Sequence, residues 1–100
     1  MTYMSTEQQA KFRVALELDL AAGDITLGQA IHRIRTELYD MTQLEFAALC
    51  RVSDRTVRDI ETGRTDPRLS IVERMLNMGG LGLTAKHKVN RVRSANPLER

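Results

Sequence analysis

The chain has 100 residues, a net charge of +2 and a hydrophobic fraction of 42%, which suffices for one domain and excludes two separate cores. Its single cysteine, Cys50, excludes an internal disulfide and fits a buried thiol in a reducing cytoplasm. No apolar stretch reaches the roughly 18 residues of a membrane span, and no signal peptide is indicated.

The first predicted helix covers about residues 6–22. Ser5 begins a capping-box pattern before it, and Gly23 ends it. Large apolar side chains recur every four residues and form one stripe: Phe12, Leu16 and Leu20. Val14 and Leu18 widen that stripe beyond what a solvent-facing helix carries. Two interpretations stay open: the helix covers the domain's own core, or it adds a contact with a second copy or a partner.

A second helix is predicted to begin near Thr26, which starts another capping-box pattern with Gln29. Its inner stripe consists of Ile31, Ile34 and Leu38. Its charged residues are predicted to face solvent: Arg33, Arg35 and Glu37. His32 has no second histidine or cysteine near it, so a surface or cap role is favoured over metal binding.

Residues 41–63 carry the pattern of two short helices joined by a tight turn. Thr42 and Glu45 can form a capping box at the start of the first helix, Ser53 can cap the second, and Gly63 ends it. Two apolar residues of the second helix must face inward: Val57 and Ile60. A helix-turn-helix needs such a pair, because one helix supports and the other presents its N-terminal half to the major groove.

A more specific pattern extends from Thr42 to Pro67. It reads Thr42-Gln43-x-x-Phe46-Ala47, then Val52-Ser53-x-x-Thr56-Val57-x-x-Ile60-Glu61-x-Gly63-x-x-x-Pro67. In this spacing the chain resembles the XRE (lambda repressor and Cro) family of DNA-binding domains over about residues 28–83. The resemblance implies an all-α fold: a five- to six-helix lambda-repressor-like bundle, here with an extra N-terminal helix.

Three positions depart from the family pattern. Asp40 and Arg51 stand where the family usually has glycine, and arginine accepts a left-handed backbone less readily than aspartate. We therefore expect modest strain or a slightly altered turn at Arg51, without loss of the motif. In the family an arginine often pairs with the glutamate that matches Glu61; here Thr36 takes its place and Arg35 lies one residue earlier. Either Arg35 reaches Glu61 from a shifted position, or Glu61 has another partner.

The last predicted helix begins with Asp66 as cap and Pro67 at its first position, and it ends at residues 79–80. Its predicted apolar face consists of Leu69, Val72, Met75 and Leu76. Beyond it, apolar residues alternate as in a strand: Leu81, Leu83, Ala85 and Val89. Such a strand could pair antiparallel with that of a second copy, or the segment is a loose tail. The chain resembles XRE-type antitoxins, many of which dimerise through a terminal strand. This resemblance favours the paired strand over the loose tail.

The chain is thus predicted to have three parts: an N-terminal helical extension over residues 1–23, the helix-turn-helix domain over 24–83, and a basic tail over 84–100. The tail carries five cations and one anion, a local charge of +4 that leaves −2 for the rest. It is predicted to be partly strand-like and then disordered from residue 90. DNA affinity must therefore come from local clusters in the helix-turn-helix and from the tail, because the surface is not uniformly basic.

The predicted function is a transcriptional regulator that binds duplex DNA sequence-specifically as a dimer, with a repressor role. Base-reading candidates lie in the second helix of the motif: Asp54, Arg55, Thr56, Arg58 and Asp59. Arg55 is the first choice for guanine because it projects from the first turn; Asp59 matches a family base contact but can instead pair with Arg55. The phosphate-contacting candidates, the first two implied by the resemblance, are Thr42, Gln43, Arg51, Thr62, Arg64 and Arg68.

No catalytic residue, cofactor or metal site is predicted. Paired carboxylates at a plausible pocket, a Cys/His cluster and a glycine-rich phosphate loop are all missing from the sequence pattern. The alternative function is an antitoxin that neutralises a partner toxin by protein–protein binding and autoregulates its operon. Its neutralising surface would be the N-terminal helix or the basic tail.

Overall fold

The computed structural model describes residues 4–85, which contain five helices and no strand. The helices are α1 (Thr6–Ala22), α2 (Leu27–Arg33, continued by a π-helical segment Ile34–Leu38), α3 (Gln43–Cys50), α4 (Asp54–Thr62) and α5 (Leu69–Met78). The predicted all-α fold class is confirmed. None of these helices is long and apolar enough to cross a membrane.

One apolar core is built from all five helices. Its fully buried large side chains are Leu16, Ile31, Ile34, Phe46, Val57, Met75 and Leu76. Helix α4 packs against both α3 and α2 through Val57 and Ile60, as the three-residue spacing predicted. Because the inner side of α4 is fixed in this way, its remaining side chains are held in a defined orientation on the surface.

The helix starts follow from local side-chain chemistry. Capping boxes form at α1, α2 and α3, where Ser5, Thr26 and Thr42 each accept from the amide of the residue three positions on. Ser53 caps α4 by accepting from the Thr56 amide at 3.0 Å. Each cap satisfies a helix-end amide that has no partner within the helix. Four of the five predicted starts are therefore confirmed.

The predicted start of α5 is wrong. Asp66 does not cap it and Pro67 is not its first residue; the helix begins at Leu69, after Arg68 with an extended backbone (φ −64°, ψ 140°). Extended backbone at Arg68 delays the helix beyond the proline. Leu69 is consequently in the first turn and exposed, whereas the rest of the predicted apolar face is buried: Val72, Met75 and Leu76.

Helix α1 is part of the core on one side and uncovered on the other. Phe12 and Leu16 are buried, which supports the interpretation that the helix covers the domain's own core. Arg33 of α2 reinforces this docking, because its Nη1 donates to Asp19 at 2.9 Å and its guanidinium lies 5.8 Å from the Phe12 ring centre. On the other side Val14 and Leu18 are 56% and 63% exposed, so an additional contact there stays a prediction.

The segment after α5 packs beside α1. Leu81 and Leu83 lie partly buried against the core, and Ala85 is exposed. With Leu18 and Leu27 the segment lines an open groove of about 730 Å³. In the single chain residues 81–85 form no strand. The rest of the predicted strand, including Val89, and the tail predicted to be disordered lie outside the described residues.

Helices α2 and α4 approach each other so closely that only glycine fits at position 28. A Cβ there would lie 2.9 Å from the Glu61 carbonyl oxygen and closer still to that of Ile60. Both neighbours are backbone atoms of α4 and cannot rotate away. The sequence analysis did not identify this glycine, since nothing in its local pattern distinguishes it from an ordinary helical residue.

We expect Gly28→Ala to destabilise the protein by about 1–3 kcal/mol, although alanine is the better helix former. The added methyl group must push α4 away from α2. Urea unfolding followed by circular dichroism measures the change. Gly82→Ala is the matched control, because a Cβ at position 82 meets nothing within 4 Å. Equal stability of the two variants would contradict the close approach.

Candidate nucleic-acid interface

The turn between α3 and α4 keeps the helix-turn-helix geometry despite its arginine. Arg51 adopts the left-handed conformation (φ 61°, ψ 43°), and Asp40 does the same before α3 (φ 52°), so the expectation of a strained but intact turn is confirmed. The Val52 amide donates to the Ala47 carbonyl at 3.0 Å. Arg74 of α5 adds a bond that the sequence did not indicate, from its Nη1 to the Cys50 carbonyl at 2.8 Å.

Cys50 is buried at the end of α3, as predicted. Burial raises the pKa of its thiol, and the nearby Arg74 guanidinium only partly opposes this effect. A protonated, inaccessible thiol is a poor nucleophile. Cys50 therefore serves packing in this turn.

The outer face of α4 consists of alternating charges. Arg55 is 83% exposed and Arg58 about half exposed. Each has an acidic neighbour one turn away. Asp59 Oδ2 lies 3.8 Å from Arg55 Nε, and Asp54 Oδ2 lies 3.5 Å from Arg58 Nη2. The pairing of Asp59 with Arg55 is one of the two alternatives that the sequence left open. The four side chains together give this face no net charge.

Thr56, the fifth base-reading candidate, is engaged with the helix cap. Its backbone amide donates to Ser53 Oγ, and its hydroxyl lies 2.9 Å from the same oxygen. It is half-buried. Its methyl group is therefore the part of the side chain that remains for an apolar contact.

Most phosphate-contacting candidates are exposed at helix ends: Thr42, Arg51, Thr62, Arg64 and Arg68. Thr62 donates its hydroxyl to the Arg58 carbonyl at 2.8 Å. Gln43 differs from the others, because it is half-buried and its Nε2 donates to Glu61 Oε1 at 3.2 Å. An amide nitrogen carries two hydrogens, so this bond leaves one donor at the start of α3.

Arg35, predicted to face solvent, is buried, and that prediction is wrong. Its Nε and Nη2 donate to the two carboxylate oxygens of Glu61 at 2.7 and 3.0 Å, and its Nη1 donates to the Met41 carbonyl at 2.8 Å. Of the two alternatives for Glu61, the shifted arginine is therefore correct. The pair connects α2 to the C-terminal half of α4 and to the segment before α3.

The π-helical segment explains how Arg35 reaches this position. In it the Tyr39 amide donates to the Ile34 carbonyl, five residues back, at 3.2 Å. A π turn accommodates one more residue than an α turn. Relative to the arginine position that the resemblance implies, Arg35 is one residue farther from Thr42, and the wide turn accommodates that residue. The π segment thus lets Arg35 reach Glu61 from its shifted position.

Glu61 is ionised although it is almost fully buried, with 4% of its side chain exposed. Burial alone would raise its pKa, but hydrogen bonds from Arg35 and Gln43, together with the contact to His32, outweigh it and hold the pKa below its ordinary value. His32 is exposed, with Nδ1 3.2 Å from the carboxylate, which agrees with the surface role predicted for it. The cluster fixes the orientation of α4 from behind its exposed, charged side.

The comparisons with known proteins agree with this geometry. A family model described as helix-turn-helix matches residues 31–85, more than half of the chain, including α3, the turn, α4 and α5. Neither the search of curated proteins nor that of solved structures finds a match. The family match, together with the capped helix α3 packed against α4 and the exposed outer face of α4, leads to one conclusion: the chain belongs to the XRE-type helix-turn-helix family of DNA-binding transcription regulators.

Proposed function

We propose that the protein is a cytoplasmic repressor that binds duplex DNA sequence-specifically as a homodimer. The observation that carries the proposal is the outer face of α4. Arg55 and Arg58 project from it, while the Arg35–Glu61 pair holds the helix from behind. A rigid helix with exposed arginines in its first half is suited to read base edges in the major groove.

In the proposed complex each protomer places one α4 in a half-site, and the two half-sites lie about 34 Å apart, one turn of duplex. Arg55 is the proposed bidentate partner of a guanine. Arg58, one turn further along, contacts a base or a phosphate. Leu81, Leu83 and Ala85 are the proposed dimerisation residues, where two copies pair antiparallel. Half-burial of both leucines beside an open groove supports a role for this segment in packing.

Phosphate contacts are proposed to frame the reading helix. The amide group of Gln43 and the hydroxyl of Thr42 offer neutral donors at the start of α3, where the helix dipole favours anions. Arg64 and Arg68 follow α4 and are exposed. Such contacts position the protein on any sequence, whereas the α4 side chains discriminate between sequences.

The test compares Arg55→Ala with Arg64→Ala. An operator is first selected from a random duplex library with the wild-type protein. Because Arg55 contacts a base in the proposal, Arg55→Ala should lose about 1–3 kcal/mol of discrimination at one base pair. Arg64→Ala should weaken binding to all sequences alike. It should also lower the slope of log affinity against log salt concentration by the contribution of about one phosphate contact. Binding titrations at several salt concentrations measure both effects, and unchanged preference in Arg55→Ala would refute its role.

The second candidate function is that of an antitoxin, which the exposed side of α1 favours. Val14 and Leu18 lie on a helix outside the family match and are largely uncovered. An apolar helix face of this kind suits a partner protein. Co-purification of an untagged protein encoded beside this one, lost when Val14 is replaced by glutamate, would support this function.

A further inference from the structure

Asp59 and Arg55 form an ion pair on the outer face of α4 that helix stability does not explain. An acidic residue before a basic one is the better order four residues apart, because the N-terminus of a helix favours anions and the C-terminus cations. Asp54 and Arg58 have that order. Arg55 and Asp59 have the reverse order, with the cation in the first turn. The reverse order stabilises a helix less, so helix stability alone does not account for the position of Asp59.

The two partners differ in how much of each side chain is exposed. The Asp59 side chain is 28% exposed, whereas that of Arg55 is 83% exposed. Their separation of 3.8 Å is an ion-pair contact and too long for a hydrogen bond. The carboxylate is thus the more enclosed partner. The guanidinium is biased toward it but can leave, since exposed ion pairs are weak.

The carboxylates of α4 also affect its affinity for DNA of arbitrary sequence. Non-specific affinity comes almost entirely from neutralising phosphates. Because Asp54 and Asp59 balance the two arginines, the outer face of α4 offers no net positive charge. Binding to arbitrary sequences is weakened, while a correctly placed guanine can still engage Arg55. Specificity is the difference between these two affinities.

Building on the proposed function, we infer that Asp59 is a positioning and specificity residue for Arg55. Its carboxylate orients the guanidinium along the reading face and away from the phosphates. In this role it raises the ratio of operator affinity to random-sequence affinity, and it does so without contacting a base itself.

The experiment measures binding of Asp59→Asn to the selected operator and to a random-sequence duplex of equal length over a range of salt concentrations. We expect the affinity for random-sequence duplex to increase about two- to fivefold. A change of this size corresponds to the energy of one exposed ion pair. Its salt dependence should steepen by about one phosphate contact, and the operator-to-random ratio should fall by at least the same factor. Asp59→Glu keeps the charge and should retain weak random-sequence binding.

Two controls separate the role of Asp59 from a general charge effect. Glu7→Gln makes the same charge change on α1, where the carboxylate is exposed and pairs only with Lys11 among the described residues; it should leave the ratio unchanged. In an Arg55→Ala background, Asp59→Asn should no longer lower the operator-to-random ratio, because Asp59 acts through Arg55. Circular dichroism confirms that each variant is folded.

The inference is overturned if Asp59→Asn matches Glu7→Gln in random-sequence affinity and salt dependence. It is also overturned if Asp59→Asn loses preference at one base pair without tighter random-sequence binding, since Asp59 would then read that base directly. Both results leave the proposed function standing. A wild-type protein that binds no duplex would instead refute the proposed function, and this inference with it.

Discussion

Replacing Arg35 with methionine is expected to cost about 3–5 kcal/mol of the free energy of unfolding. Methionine keeps much of the apolar stem but leaves the Glu61 carboxylate buried without its bidentate partner. The Met41 carbonyl loses its donor as well. A domain of this size has about 5–15 kcal/mol of stability in total. Chemical denaturation followed by circular dichroism should therefore show a large decrease in the midpoint.

Arg33→Met is the matched control for this prediction. Arg33 lies two residues away on the same helix and pairs with Asp19 and Glu37, but all three side chains are partly exposed. Ion pairs near the surface contribute about 0–1 kcal/mol. A double variant with Arg35→Met and Glu61→Leu should regain most of the stability, because an apolar pair avoids the desolvated charge. Equal losses for Arg33→Met and Arg35→Met would contradict the role of the buried pair.

The cluster behind α4 also shows what the sequence could not predict. Helix starts were predicted well where the signal is local: Thr42 and Glu45 cap one another across three residues, and the pattern is visible in the chain. Burial of Arg35 depends on a π turn and on a carboxylate 26 residues away. Arg35 lies four residues after Ile31, on the inner stripe of the helix, but its charge predicted a solvent-facing position because the sequence alone does not show the buried partner.

The outer face of α4, by contrast, could be predicted from the sequence. Val57 and Ile60 fix the inner side of α4, so its exposed residues follow by exclusion, and Arg55 and Arg58 are exposed as that reasoning requires. Gly28 and Arg74 were missed because each acts on a distant backbone. Contacts between elements carry no local signal in a single sequence. The exposed face of α4 could therefore be predicted, whereas its supporting contacts could not, except that the Arg35–Glu61 pair was one of two alternatives that the resemblance raised.

Leu16→Ala is expected to destabilise the protein by about 2–5 kcal/mol, although α1 lies outside the family match. The Leu16 side chain is completely buried in the core. Its truncation removes apolar contacts and leaves a cavity that the surrounding helices can fill only in part. Thermal and urea unfolding of the full chain measure the loss. A cost of this size would mean that the N-terminal helix is part of the folding unit, since an appended helix would contribute little.

Leu18→Ala is the matched control, because it makes the same truncation on the same helix at a side chain that is 63% exposed. Surface substitutions of this kind change stability by no more than about 0.5 kcal/mol. The pair of variants separates the two sides of α1: one side stabilises the domain, and the other is available for a partner or a second copy. If both variants cost the same small amount, α1 is only loosely attached, and its role lies entirely in its outer face. If both cost several kcal/mol, the outer face is already covered in the isolated protein, as a dimer through α1 would require.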